Sequence, residues 1–381
     1  MAARGISPEN NGTVDLGSTS KRWRKLYAQT ADDGINMGNN YSLGYRKPNT
    51  SVSRGAVKYL ASLGTTKKLV CVKSGTTGDG DLSLASTAEG SITNDGTAVW
   101  QVDSLANGIY NDAQQNSVFR GADITDYWDS GLLSENIAAG VFVGVYVGDF
   151  IKKTITLPAA TYTDKSGTEI TQAAETYEDA EFKVAGIDYK RNVGAELVHI
   201  NHIFMLTPPL HPNGVANPTA STDGGFVGSD LFTVQRPLVE SALTAAFGND
   251  HIQARTEYYT NAVNAETPSA AGDATGASTG ATSVSVKAGF LNEDMVYGAP
   301  HFSSSPFDNE GSPMQLPIYA LKPSLIAGGR RAAWLSSVAS STQFCGIGFD
   351  GIPRKVNANS TSANATVGNH GYNILATFVL I

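Results

Sequence analysis

The chain has 381 residues, enough for two or three domains with their own cores. Hydrophobic residues make up 41 %, which argues against a disordered chain, while charged residues reach only 16 %, below the roughly 25 % usual in soluble proteins. The net charge of −8 argues against a nucleic-acid partner, because phosphate binding needs a basic face.

Glycine (40 residues), with Ser, Thr, Ala and Asn, fills the place of the missing charge. This composition predicts a mainly β, loop-rich chain with short helices, of an extracellular or virion kind. Cys71 and Cys345 fall in what read as different modules, so no disulfide framework is expected. The N-terminus, Met-Ala-Ala-Arg-Gly-Ile, lacks the apolar core of a secretion signal. The most apolar run, Ile137 to Phe150, is interrupted by Gly140, Gly144 and Gly148 and is too short to span a bilayer, so no membrane insertion is expected.

Residues 1–45 read as strand, capped turn, short amphipathic helix and strand. Asn11-Gly12 signals a turn, and Val14 and Leu16 alternate with polar residues. Gly17 can take positive φ, and Ser18, Thr19 and Ser20 can cap amides. Trp23, Leu26 and Tyr27 follow at helical spacing, with Lys21, Arg22, Arg24 and Lys25 on the other face. A strand is predicted over Gly34 to Leu43. So small a unit cannot bury Trp23, Leu26 and Tyr27 alone; it needs copies of itself or a host surface, which marks these three as assembly residues. The run Asp15-Leu-Gly-Ser-x-Ser-Lys-Arg-Trp-x-x-Leu-Tyr-Ala28 resembles a recurrent motif of bacteriophage tail fibres and tailspikes, found where an attachment segment meets a distal module. The resemblance implies a homotrimer that meets other virion proteins through its N-terminus.

Residues 46–108 read as a small β module. Leu69-Val-Cys-Val is a buried-looking strand, Asp95-Gly96 a hairpin signal, and Val99, Trp100 and Val102 a second strand. Trp100 lies mid-strand, which makes it the core tryptophan of the module first and a sugar-stacking platform second. The pattern Cys-Val-x-x-Gly-Thr-Thr-Gly followed by Asp-Gly-Thr-x-Val-Trp-Gln-Val resembles a module repeated in phage fibres and baseplate-associated adhesins.

Residues 109–381 read as one large domain. Short helices are predicted over Asp123 to Gly131, Ser134 to Ala139 and Pro237 to Phe247. Strands are predicted over Val141 to Phe150, Phe182 to Tyr189, Leu197 to Leu206, Val284 to Leu291 and Ile374 to Ile381. Thr260 to Ser283, rich in Ala, Gly, Ser and Thr, reads as a long surface excursion. Segments such as Asn201-His-Ile-Phe-Met-Leu-Thr-Pro, Leu291-Asn-Glu-Asp-Met-Val-Tyr-Gly and Gln315-Leu-Pro-Ile-Tyr-Ala-Leu are similar to prophage tail-fibre and surface domains, and the resemblance implies a C-type-lectin-like fold. Leu375 stands where that family carries an arginine, which removes an ionic anchor from the C-terminal strand.

The chain carries no pattern for a cofactor, a metal site or a catalytic residue. His199 and His202 would face opposite sides of a strand and could not share a metal. Glu293-Asp294 reads as a turn or cap holding a buried network. A glycan hydrolase would have to assemble distant carboxylates such as Asp149, Asp188 and Glu293. The expected ligand surface is the polar stretch Phe349 to Tyr372, between two apolar strands, with Asp350, Asn357, Asn359, Asn369, His370 and Tyr372 as the candidate contacts and Trp100 as a further one. Asn, Asp and His suit sugar hydroxyls, and Tyr can stack on a pyranose. The leading expectation is a non-enzymatic virion adhesin for a host-surface glycan or protein. The alternatives are a capsid- or baseplate-attached decoration fibre and a surface-glycan depolymerase.

Overall fold

The computed structural model describes residues 35–36, 42–107, 113–191, 197–210, 215–260, 281–303, 314–326, 332–360 and 372–381. Strand accounts for 37 % and helix for 21 %, so the chain is mainly β with short helices. Trp23, Leu26 and Tyr27 lie outside the described residues.

The first sheet is built from local hairpins. β1 (Ile35–Asn36) pairs antiparallel with β2 (Ser42–Tyr45), where the sequence predicts one strand over 34–43. β3 (Ser51–Val52) later pairs with β6 (Gly75–Thr76), apart from the main ladder. β4 (Val57–Tyr59) runs parallel to β2 and antiparallel to β5 (Lys67–Lys73). β7 (Ile92–Asp95) and β8 (Ala98–Ser104) complete the order β1-β2-β4-β5-β8-β7. Asp95 pairs with Ala98, so Gly96-Thr97 is a two-residue turn, and Gly96 sits at φ +64°, as such turns require.

Both faces of this sheet are covered. Leu69, Cys71, Trp100 and Val102 meet on one face with Val52 and Leu63. Val70, Val72 and Val99 turn the other way and join the core of the following domain, against Ile124, Tyr127 and Leu133. A strand buried on both sides needs an unbroken apolar run, and Leu69-Val-Cys-Val supplies it. Both cysteines are buried, and they form no disulfide with each other.

Two short helices carry that second contact, α1 (Thr125–Asp129) and α2 (Leu132–Ala138). Asn136 of α2 donates its side-chain amide to the Val72 carbonyl at 2.9 Å. The strand predicted over Val141 to Phe150 does not form. Gly140, Gly144 and Gly148 adopt φ +69°, +79° and +85°, and left-handed residues at every fourth position turn the chain instead of extending it. The strand begins only at β9 (Phe150–Leu157).

β10 (Ala160–Thr163) and β11 (Glu169–Gln172) form a hairpin, and β12 (Glu175–Ile187) is the longest strand. β13 (Ile203–Leu206) is much shorter than the predicted 197–206, because Asp188 and Lys190 capture the backbone and ring of His202. A π turn at Leu231–Gln235 leads into α3 (Arg236–Phe247), then β14 (Ile252–Gln253). β15 (Arg255–Thr260) pairs residue for residue with β16 (Ala281–Val286), so the expected surface excursion is framed by a two-stranded ribbon. β17 (Ala288–Phe290), α4 (Glu293–Tyr297) and α5 (Pro317–Leu321) follow. β18 (Ala333–Val338), β19 (Gln343–Ile347) and β20 (Pro353–Asn357) make a three-stranded sheet, and β21 (Ala376–Leu380) ends the chain.

The central sheet runs β14-β21-β13-β12-β9, with β17 also on β21. The last strand is therefore interior, as its apolar character predicts, and all five of its residues are buried. Phe182, Val184 and Phe378 face α3, where Phe247 packs edge-on to Phe182 with ring centres 5.0 Å apart. Phe204, Ala185 and Val379 face the other way, toward Leu291, Ile318 and Leu335. Each large side chain so removed from water contributes about 1.5–3 kcal/mol.

Candidate binding surface

The polar stretch Phe349 to Tyr372 is not one insertion. Its described start, 349–357, is a turn followed by the strand β20. β19 and β20 pair from Ile347–Pro353 through Gln343–Asn357, which leaves a five-residue turn at 348–352. Gly351 takes φ +80° and donates its N–H to the Gly348 carbonyl, and Asp350 Oδ1 accepts the Ile352 N–H at 3.1 Å. Asp350 Oδ2 meets Arg354 Nη2 at 2.6 Å. Slight burial opposes ionisation of Asp350, but the Ile352 N–H and the Arg354 guanidinium outweigh it and hold the carboxyl below its ordinary range.

This turn is braced from behind. The Tyr297 hydroxyl donates to the Gly351 carbonyl at 3.2 Å, and Lys355 lies over the Phe302 ring at 5.1 Å. At its crest Phe349 is 48 % exposed and Ile352 53 % exposed. Two large apolar side chains in water beside an ion pair make an amphipathic crest. Neither is among the contacts that the sequence suggests. The signal was present: an Asp-Gly turn between two pairing strands places its flanking residues at the surface.

Asn357 and Asn359 are exposed at the far end of β20. Gln343 donates to Asn357 Oδ1 at 3.1 Å, and the Ala358 carbonyl accepts the N–H groups of Ala216 and Asn217. The backbone beneath these two asparagines is thus fixed. Asn369 and His370 lie outside the described residues.

Tyr372 and Trp100 require correction as ligand contacts. Tyr372 is only 8 % exposed, and its ring packs against Trp334 with centres 4.7 Å apart. Burial pushes its hydroxyl above the ordinary range. It anchors the return of the chain and offers no face to a sugar. Trp100 is wholly buried, and its Nε1–H donates to Asp95 Oδ2 at 2.8 Å. The tryptophan is the core of its module.

The carboxylates that a hydrolase would have to bring together are each held in place by the fold. Asp149 is bound by Arg120, Asp188 Oδ1 accepts the His202 N–H at 2.9 Å, and Glu293 Oε2 accepts three successive backbone N–H groups. His202 is buried on a loop, where its Nε2 accepts the Lys190 N–H at 3.1 Å, while His199 is exposed. Burial pushes the His202 imidazole below its ordinary value. Among the described residues no group of His, Cys, Asp and Glu is placed to hold a metal ion, and no helix is long and apolar enough to cross a membrane. The chain matches no known family model, no curated protein and no solved structure.

Proposed function

We propose that the chain is a non-enzymatic adhesin of a virion fibre or spike, which binds a host-surface glycan or protein through the crest of the β19–β20 hairpin. One observation carries the reading. Phe349 and Ile352 stand in solvent on the hairpin that carries the Asp350–Arg354 ion pair, on a turn held from behind by the Tyr297 hydroxyl. Surface loops on rigid strands are where recognition residues vary without cost to the core. The fibre-like motif at 15–28 supports a homotrimeric assembly joined to other virion proteins through residues 1–45. The prophage-domain resemblance supports a C-type-lectin-like ancestry for residues 109–381.

The test is competition for adsorption. Purified protein should block particle attachment to host cells. The quadruple variant Phe349→Ala, Ile352→Ala, Asn357→Ala and Asn359→Ala should lose that block while melting at the same temperature. Full blocking by the quadruple variant would move the receptor site elsewhere. Failure of the unmodified protein to block at all would defeat the adhesin reading.

A further inference from the structure

We infer that a cavity of about 350 Å³ beneath α5 is a binding site for a single sugar ring, a second ligand site separate from the crest. The choice of a sugar rests on the adhesin reading; the cavity and its chemistry do not.

The cavity opens on the face of the central sheet that α5 covers. Its walls are largely apolar: Pro209 follows β13, Leu375 precedes β21, and Leu325 ends the 3-10 turn after α5, with Ile326 next to it. Its volume is at the lower end of the roughly 300–1,000 Å³ of small-molecule sites, which favours one ring over a chain.

Five side chains with polar atoms line it: Thr207, whose Oγ1 already accepts the Ala376 N–H at 2.9 Å, the Tyr319 hydroxyl, and Glu181, Lys183 and Asn373. Lys183 and Glu181 sit two apart on β12, hence on one face, and pair at 2.6 Å at the partly exposed margin. Asn373 is the inner group and is only 2 % exposed. Its position is fixed three times over. Its backbone N–H and its Nδ2 both donate to the Ala332 carbonyl, at 2.8 and 2.6 Å, and its carbonyl accepts from Trp334 at 3.0 Å. The amide nitrogen is thus committed to a carbonyl, and the amide oxygen is left as a buried acceptor with no hydrogen-bond partner. Such orphan acceptors are uncommon in native proteins and call for an explanation.

A ligand hydroxyl supplies the missing donor. The margin offers a cation that donates and a carboxylate that accepts, and a sugar hydroxyl can answer both. The apolar walls suit the C–H face of a pyranose. A purely apolar occupant would leave Asn373 Oδ1 unsatisfied, and an anion would face it and Glu181 with no donor of its own.

The test uses the full chain and the methyl glycosides of glucose, galactose and N-acetylglucosamine, read by saturation-transfer NMR. At least one glycoside should receive saturation on its ring protons. Leu325→Trp, which fills the cavity, should abolish the transfer at unchanged melting temperature. The Glu181→Ala and Lys183→Ala variants change only margin residues and should each weaken binding roughly fivefold, the effect of one lost hydrogen bond. They decide the matter if Leu325→Trp fails to fold. Transfer to none of the glycosides, or transfer unchanged in these variants, overturns the inference. Cell adsorption is measured in parallel. Adsorption without glycoside transfer defeats the cavity alone, whereas transfer without adsorption defeats the adhesin reading and leaves the sugar site standing.

Discussion

Arg120 Nη2 stands 2.7 Å from Asp149 Oδ2, with both side chains at most 1 % exposed. The same guanidinium reaches back across the module boundary to Asp103 on β8, at 3.1 Å. Its Nη2 also donates to the Gly144 carbonyl at 2.9 Å, and its Cζ lies 4.6 Å above the Tyr146 ring. Burial works against the charge, but two carboxylates outweigh it and raise the proton affinity of Arg120 above the ordinary arginine value. One cation therefore ties the small β module to the large domain.

Removing one member of such a network strands a charge in a dry site. Asp149→Ala is expected to cost about 3–5 kcal/mol, the usual penalty for half of a buried pair. Arg120→Met should cost a comparable amount, because it leaves Asp103 and Asp149 without their shared cation. Urea unfolding followed by tryptophan fluorescence measures both. A loss under about 1 kcal/mol for either variant would show that water enters the junction.

The sequence makes the strands on each side of this junction readable and leaves the junction itself hidden. Leu69-Val-Cys-Val and the final apolar strand announce themselves because burial on both faces demands unbroken apolar runs. Arg120, Asp103 and Asp149 carry no local pattern, and their meeting depends on how the chain folds between them. The strand predicted over 141–150 fails for a local cause: valines and aromatics suggest extension, while three glycines at positive φ decide otherwise. At the crest, counting polar residues concealed Phe349 and Ile352, because residue type says little about which way a turn presents its side chains.

Asp95 makes the small module sensitive to acid. Its carboxylate accepts from Trp100 at 2.8 Å, from the Gly78 N–H at 2.9 Å and from Arg46 through Nε and Nη2 at 3.0 and 2.6 Å. Burial opposes the charge, but Arg46, Gly78 and Trp100 hold the carboxyl below its ordinary value of 3.8. As the pH falls through 3.8, the unfolded chain takes up the proton first and gains relative to the folded one. The contribution of Asp95 is thus complete above that pH and is lost as the pH falls through the lower folded value. Wild-type stability should decline more steeply below pH 3.8 than that of Asp95→Asn. Parallel curves would assign acid unfolding to other groups.

Tyr372 should behave as a packing residue. Tyr372→Phe keeps the ring against Trp334 and is expected to change stability by less than about 0.5 kcal/mol. Tyr372→Ala removes the ring and is expected to cost about 3–5 kcal/mol, as large aromatic truncations in cores do. The Phe variant should adsorb as well as wild type. Lost adsorption with unchanged melting in Tyr372→Phe would restore the tyrosine hydroxyl as a receptor contact.

Glu293 separates a structural carboxylate from a catalytic one. It is wholly buried at the start of α4, where Asn292 caps the helix by accepting the Met295 N–H at 2.7 Å. Its own N–H donates to Ser337 Oγ at 3.0 Å, which fixes the helix to β18. Its Oε2 accepts from the N–H groups of His301, Phe302 and Ser303 at 2.8, 2.9 and 2.9 Å, so one oxygen holds three successive amides of the following loop. Its Oε1 has no hydrogen-bond partner. Glu293→Gln can present its amide oxygen to the three N–H groups, but with less charge, and its new NH₂ then occupies the side without an acceptor. A buried donor left unsatisfied costs about 1–3 kcal/mol, and that loss is the expected effect. Glu293→Ala should cost more, because all three loop amides lose their partner. Neither change should alter cell adsorption under conditions where the variant is folded. Clearing of a host-surface glycan by the wild type, lost in Glu293→Gln at undiminished stability, would instead make this carboxylate part of a hydrolytic centre.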